Sequence, residues 1–280
     1  MIKSREALRQ ASRMLANEGV DSPRLDAELL LAHVLEVNRA AVLARPERRL
    51  TPKELTLYRD LAARRAAREP LAYILGHWEF YGLDFAVDER ALIPRPETEL
   101  LVEEALRLAK GMAPGVRIAD VGAGSGAIAV TLAVHLSRAT VYALDASPEA
   151  LALAAENAAR HKARIRCLAG DLLAPLPEAV DLIAANLPYV ARDEWPTLPP
   201  EIRAHEPRAA LDGGADGLAL IGRLLDRASD HLRAGGAVLV EIGAAQGEAA
   251  VDLAREAMPG ARVRLCQDYA GLDRLVVVET

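Results

Sequence analysis

The sequence predicts an α/β protein with a Rossmann-like sheet, preceded by a small helical bundle and a β-hairpin linker. Three observations carry this. Short apolar runs at 116–121, 141–145, 164–168 and 180–185 are separated by segments of helical periodicity. A glycine-rich turn, Gly122-Ala123-Gly124-Ser125-Gly126, joins the first run to a helix, with an acid, Asp145, about twenty residues on. The first seventy residues carry helix signals only.

Composition sets the bounds. The 280 residues are 51% hydrophobic and 26% charged, as in a globular protein, with a formal charge of −6. That balance speaks against a broad phosphate-contacting surface, so no direct nucleic-acid partner is expected. The trio Arg64, Arg65 and Arg68 is the one local basic patch singled out. Cys167 and Cys266 lie far apart without a CxxC pattern, so neither a disulfide framework nor a metal site is expected. No signal peptide and no membrane-spanning run is evident, which points to the cytoplasm. A monomer is expected.

In chain order, Ser4 is read as the cap of a first helix stopped by Gly19. Ser22-Pro23 starts a second, whose apolar face takes Leu25, Leu29, Leu30, His33 and Val34. Thr51-Pro52-Lys53-Glu54 has the form of a capping box for a helix burying Leu55, Tyr58, Leu61 and Ala62. The three arginines at its end read as a solvated terminus that suits the helix dipole, or as a docking surface. Pro70 ends the helical pattern. Gly82, between aromatic-rich runs, marks a hairpin. The organisation is a bundle at 1–72, a hairpin linker at 73–92 and a catalytic domain at 93–280. Pro96 opens the next helix, which buries Leu100, Leu101, Ala105 and Leu108; the stretch 92–99 before it is a candidate wall of the site.

Two motifs carry chemistry. Gly122, Gly124 and Ala127 fit G-x-G-x-x-A, the dinucleotide fingerprint. The stretch from Asp120 to Gly126 also fits D-x-G-x-G-x-G, which resembles the first motif of S-adenosylmethionine-dependent methyltransferases. Asp120 favours the second form, because a carboxylate suits a cationic sulfonium and ammonium better than a pyrophosphate. Asp145 can accept from ribose hydroxyls. Asp171, after the third strand, can serve the adenine amino group or simply a turn.

The other motif, Asn186-Leu187-Pro188-Tyr189, ends the strand at 180–185. An amide or arylamine nitrogen is a poor nucleophile with two in-plane N–H donors. The Asn186 side-chain oxygen and the Leu187 carbonyl, held extended before Pro188, can accept both, and Tyr189 can stack on the planar group. A second glycine turn, 243–247, reads as structural, His205 and His231 as surface residues, and the stretch 206–217 as a loop near the site. Runs at 236–242, 262–266 and 275–278 complete seven strands.

On these motifs, with L-I-P-R-P-E-T-E at 92–99 and E-P-R-A-A-L at 206–211, the chain resembles the PrmC/HemK family, the glutamine-N5 methyltransferases of peptide chain release factors. The resemblance spans nearly the whole chain. It implies a seven-stranded methyltransferase sheet with an antiparallel insertion. It implies S-adenosylmethionine as donor, S-adenosylhomocysteine as product, and the glutamine of the Gly-Gly-Gln loop as acceptor. Gly122 to Gly126 and Asp145 would bind the cofactor, Asn186 to Tyr189 the glutamine, and the bundle would dock the release factor. The usual N-P-P-Y has Leu187 at its first proline here, and Leu172 stands where an aromatic is usual. The rival readings are an adenine-N6 nucleic-acid methyltransferase and a non-catalytic S-adenosylmethionine-binding scaffold.

Overall fold

The computed structural model describes residues 2–280. Packing divides the chain into two units. One is Met1–Gly76 with Pro199–His205; the other is His77–Leu198 with Glu206–Thr280. The hairpin thus packs with the sheet unit, and a seven-residue segment from late in the chain packs with the helices.

In chain order the first helices are α1 (Ser4–Asn17), α2 (Pro23–Val34), α3 (Arg39–Ala44), α4 (Pro52–Ala66) and α5 (Leu71–Leu75). The hairpin strands β1 (His77–Phe80) and β2 (Leu83–Ala86) follow. Then come α6 (Glu99–Gly111), β3 (Arg117–Val121), α7 (Ala127–His135), β4 (Thr140–Asp145), α8 (Pro148–Arg160), β5 (Ile165–Ala169) and β6 (Val180–Ala185). The chain closes with α9 (Pro200–His205), α10 (Ala219–His231), β7 (Leu232–Glu241), α11 (Gly247–Ala257), β8 (Arg262–Gln267) and β9 (Asp273–Glu279).

The capping box of α4 is complete: Glu54 N–H donates to Thr51 Oγ1 at 3.3 Å and Thr51 N–H to Glu54 Oε2 at 2.8 Å. Other readings of this region need correction. Lys3, not Ser4, holds the N-cap position of α1, and the Ser4 hydroxyl donates instead to the Arg48 carbonyl at 3.1 Å. Helix α2 is rotated from the expected face, with Leu25 and His33 exposed and Asp26 and Glu28 buried. Burial of those acids is offset by arginines: Glu28 accepts from Arg24 and Arg39, and Asp26 from Arg65 at 2.7 Å. Arg65 is therefore not a solvated helix end. It is 7% exposed and also reaches Glu201 of α9 at 3.0 Å, where Arg68 joins it at 2.7 Å. Arg64 pairs with Glu69. After Pro70 the chain makes the short helix α5, ended by Gly76 in the left-handed region at φ 75°.

The hairpin turn is two residues, Tyr81 and Gly82, at φ 52° and 73°. Two positive φ values are the signature of a type I′ turn, whose twist matches that of the strands. Phe80 and Phe85 meet edge to face at 6.1 Å. Asn157 of α8 ties β2 down, accepting from Ala86 N–H at 2.7 Å and donating to its carbonyl at 3.0 Å.

The main sheet has seven strands in the order β5-β4-β3-β6-β7-β9-β8. The first five are parallel, and β9 lies antiparallel between β7 and β8. The chain winds from β3 outward through β4 to β5, then returns to place β6 on the other side of β3. That reversal is the switch point beyond whose carboxyl ends ligands bind in open α/β sheets. Val121 and Ala185 pair there in register, so the residues that follow them, Gly122 and Asn186, leave the sheet side by side. A 3₁₀ turn at Pro96–Thr98 leads into α6, whose buried stripe is Leu101, Val102, Ala105, Leu106 and Ala109; Leu100 and Leu108 are only half-buried.

Candidate active site

A cleft of about 320 Å³ opens at the switch point, at the small end of the ~300–1,000 Å³ range of ligand pockets. The glycine loop forms its floor. Asp145 and Leu172 line one side, Asn186, Leu187 and Pro188 another, and the stretch 90–95 with Pro207 and Ala210 the outer wall.

The glycines are required by backbone shape and by crowding. Gly122, Gly124 and Gly126 all have left-handed φ, at 78°, 54° and 81°. A Cβ on Gly122 would stand 3.1 Å from Leu187 Cδ2 and 3.2 Å from the Asn186 carbonyl oxygen. A Cβ on Gly126 would stand 2.9 Å from Ala154 Cβ in α8. The loop therefore seats directly against both the Asn186 segment and a helix.

The hydrogen bonds of this loop discriminate between the two cofactor motifs. Gly122 and Ala123 N–H groups donate to the Leu144 carbonyl at 2.8 and 2.9 Å, and Gly126 N–H to Ala123 at 2.8 Å. Gly124 N–H donates to Asp145 Oδ2 at 2.8 Å. A pyrophosphate site needs N–H groups aimed at the ligand; here four of them are spent inside the fold, beside a carboxylate. Asp145 Oδ1 also accepts from Ser147 N–H at 2.9 Å. Each carboxylate oxygen carries a second lone pair, which leaves acceptors for ribose hydroxyls.

Asp120 is placed differently from expectation. It does not line the cleft but is fully buried beneath the loop, with Oδ2 accepting from Ala129 N–H of α7 at 2.9 Å. Oδ1 has no partner among the described residues. Burial, opposed by the Ala129 N–H and reinforced by Asp145, pushes its carboxyl up to about 7. Asp171 is exposed at the rim and pairs with Arg223 at 2.5 Å. Leu172, at φ 48°, turns a half-buried apolar side chain to the cleft. Ser125 and Ala123 are buried along the floor.

In the second loop, Asn186 Nδ2 donates to Thr98 Oγ1 at 3.0 Å. The amide oxygen is thus the end left for a ligand. Leu187 is buried, and Pro188 is half-buried against the cleft. Tyr189 does not contribute to the lining of the cleft. Its hydroxyl turns inward to Glu241 Oε1 at 3.4 Å. Burial, with Glu241 and Glu97 nearby, raises the phenol above its ordinary range. The Tyr189 carbonyl accepts from Gln246 Nε2 at 2.9 Å, and Gln246 Oε1 accepts from Gly243 N–H at 2.8 Å. The turn at 243–247 therefore braces the asparagine loop.

Glu206 supports the outer wall: buried, it accepts from Arg95 at 2.5 Å and from Ile93 N–H at 3.2 Å. His205 and His231 are half-buried. Sequence reasoning missed Thr98, Glu241, Gln246 and Glu206 as parts of the site, although Thr98 and Glu206 lay in motifs it had marked and Gln246 in the glycine turn it read as structural.

Residues 6–76 match the PrmC N-terminal domain, and residues 96–198 the methyltransferase small domain. A release factor glutamine methyltransferase of Moorella thermoacetica is 46% identical over 96% of this chain and 96% of its own length. One of Geobacter sulfurreducens is 44% identical over 94% and 91%. The chain belongs to the release factor glutamine methyltransferase family. Its fold is similar to that of a methyltransferase from Pyrococcus furiosus, with a TM-score of 0.53 and 18% identity over 79% of this chain and 97% of that one. As a member of this family it is a methyltransferase that uses S-adenosylmethionine. The cleft fits that molecule: a glycine floor that a Cβ would fill, Asp145 with spare acceptor capacity, and an apolar wall from Leu172. Among the described residues no helix is long and apolar enough to cross a membrane.

Proposed function

We propose that this chain methylates the side-chain nitrogen of the glutamine in the Gly-Gly-Gln motif of peptide chain release factors. The observation that carries the reading is the anchored Asn186 amide at the lip of the cleft floored by Gly122 to Gly126. With Nδ2 held by Thr98, Oδ1 accepts one N–H of the substrate amide. The Leu187 carbonyl accepts the other, and Pro188, which fixes φ and lacks an N–H, keeps that segment extended. Holding both N–H groups aims the nitrogen's lone pair along one line. Asp145 holds the ribose and Leu172 covers the adenine. Bound S-adenosylmethionine supplies an electrophilic methyl group. No strong base is needed at the nitrogen, because methylation acidifies its proton. The chain's main contribution is in-line placement, worth up to roughly 7–11 kcal/mol in well-oriented systems.

The helical unit docks the release factor. Arg65 and Arg68 are committed to Glu201 and Asp26, so docking uses other residues of that unit. The reaction takes place in the cytoplasm, the enzyme acts as a monomer, and no nucleic acid is bound directly.

The test is mass spectrometry of a purified release factor incubated with the protein and S-adenosylmethionine, beside a variant whose Gly-Gly-Gln glutamine is alanine. One added methyl, mapped to that glutamine and absent from the variant, is the expected result. Transfer to adenine in DNA or RNA, with none to the release factor, would move the protein to a different acceptor class.

A further inference from the structure

The turn between β7 and α11 reaches the asparagine loop through one side chain, Gln246. Its backbone is fixed first. Gln246 is the N-cap residue of α11, and its N–H donates to the Gly243 carbonyl at 2.9 Å. Ala250 and Ala254 seat the helix behind it in the core. The side chain is then committed. Oε1 accepts from Gly243 N–H at 2.8 Å, and Nε2 donates to the Tyr189 carbonyl at 2.9 Å and to the Asp216 carbonyl at 3.2 Å. A backbone N–H only donates and a carbonyl only accepts, so these three partners admit one orientation of the amide. One residue thereby joins three segments: its own turn, the asparagine loop and the stretch 213–217.

The carbonyls of the asparagine loop are also crowded by glycines. A Cβ on Gly217 would collide with both the Tyr189 carbonyl oxygen and Gln246 Nε2. One on Gly213 would stand 2.8 Å from the Pro188 carbonyl oxygen, as one on Gly122 would stand 3.2 Å from that of Asn186. Further on, Val190 N–H donates to the Leu211 carbonyl at 3.0 Å and Gly213 N–H to the Val190 carbonyl at 2.9 Å. Backbone contacts thus seat the loop along its length, and Gln246 holds the Tyr189 carbonyl onto that seat. The Leu187 carbonyl, which with Asn186 Oδ1 is assigned to the acceptor amide, lies two residues before this bond. Gln246 is not part of the cleft lining, so it acts through the loop. We infer that Gln246 is a positioning residue for methyl transfer: by holding the Tyr189 carbonyl it sets where the Asn186 and Leu187 acceptors stand against the cofactor. This rests on the reading of those two acceptors given under the proposed function.

The polarity of the amide makes this role separable from packing. Gln246→Glu keeps the shape but puts an oxygen in place of Nε2, so a carboxylate faces two carbonyls. The repulsion falls on the Tyr189 carbonyl, and the loop retreats from the turn. Gln246→Met keeps the length but makes neither hydrogen bond, so the carbonyl is released rather than repelled. Turnover therefore falls in the order wild type, Gln246→Met, Gln246→Glu, the reverse of the order that side-chain shape alone would give the two variants.

The test is steady-state methyl transfer by the full chain to a release factor, with S-adenosylmethionine affinity by calorimetry and thermal unfolding on the same samples. If a misplacement of about 1 Å costs on the order of 10²-fold, kcat falls roughly threefold to tenfold in Gln246→Met and roughly 10- to 10²-fold in Gln246→Glu. KM for the release factor and the cofactor Kd stay within about twofold, because the loss is confined to the transition state. In an Asn186→Ala background the further loss from Gln246→Glu is at least about threefold smaller, because half of the acceptor pair it positions is already gone. Wild-type kcat in Gln246→Glu, a slower Gln246→Met than Gln246→Glu, an undiminished loss in the Asn186→Ala background, or a fall in cofactor affinity that tracks kcat overturns the positioning role while the assigned function stands. No transfer to the release factor by any form, wild type included, overturns the function and this role with it.

Discussion

Alanine at Gly122 separates two effects that usually arrive together. Gly122 and Gly124 both sit in the left-handed region, at φ 78° and 54°. A side chain at either costs roughly 1–2 kcal/mol of backbone strain. For a chain of this size that lowers the melting temperature by about 2–8 °C. The surroundings differ. A Cβ at Gly124 meets only Ala91 Cβ at 3.8 Å, an ordinary contact. A Cβ at Gly122 lies 3.2 Å from the Asn186 carbonyl oxygen, which belongs to the backbone and can yield only by moving the loop. The retreat required is a few tenths of an ångström. If misplacement by about 1 Å costs on the order of 10²-fold, this shift costs roughly threefold to tenfold in turnover. Gly122→Ala is therefore expected to show that loss in kcat at saturating cofactor and release factor. Gly124→Ala is expected to match it in stability but not in kcat. The assay is steady-state methyl transfer with thermal unfolding run on the same samples. Equal kcat for the two variants at equal stability loss would refute the argument that the glycine floor seats the asparagine.

Asn186→Ala removes a positioned acceptor and is expected to lower turnover by about 10²–10³, with cofactor affinity by calorimetry much less affected. Arg65→Met leaves Asp26 buried without its cation and is expected to cost about 3–5 kcal/mol in chemical denaturation, while Arg64→Met, at an exposed pair, changes stability by no more than about 1 kcal/mol. For Asp120 the folded carboxyl lies near 7, above its unfolded value. Between the two the folded state holds the proton more tightly, so this residue's contribution to stability declines as pH rises through that window and is flat above it. Asp120→Asn keeps an acceptor for Ala129 N–H. Its gain in melting temperature over the wild type should grow between acid and neutral pH and then level off; a constant difference would contradict the assigned burial.

What the sequence made legible was local. The strand runs, the glycine turn and the asparagine loop announce themselves within a few residues, and strand order at a switch point does the rest. What stayed hidden depends on partners distant in the chain. Thr98 bonds Asn186 across 88 positions, and Tyr189 reaches Glu241 across 52. Arg65 read as a solvated helix end because its partner Glu201 lies 136 residues away. Helix α2 was rotated in the reading because Leu29, Leu30 and Leu31 run consecutively, so apolar spacing alone could not choose a face. Asp120 was assigned to the cleft on charge, but the strand's alternation points it at α7.

Glu201 gives the chain a constraint on recombination. Its carboxylate receives both Arg65 and Arg68, yet it lies in Pro199–His205, a segment enclosed on either side by the sheet unit's sequence. The helical module is thus not a contiguous stretch of gene. Exchanging residues 1–76 between relatives leaves one member of an ionic triad behind, so a graft would need the seven-residue insert transplanted with it. Any exchange of the helical unit is in this way tied to a short passage enclosed within the sheet unit's own coding sequence.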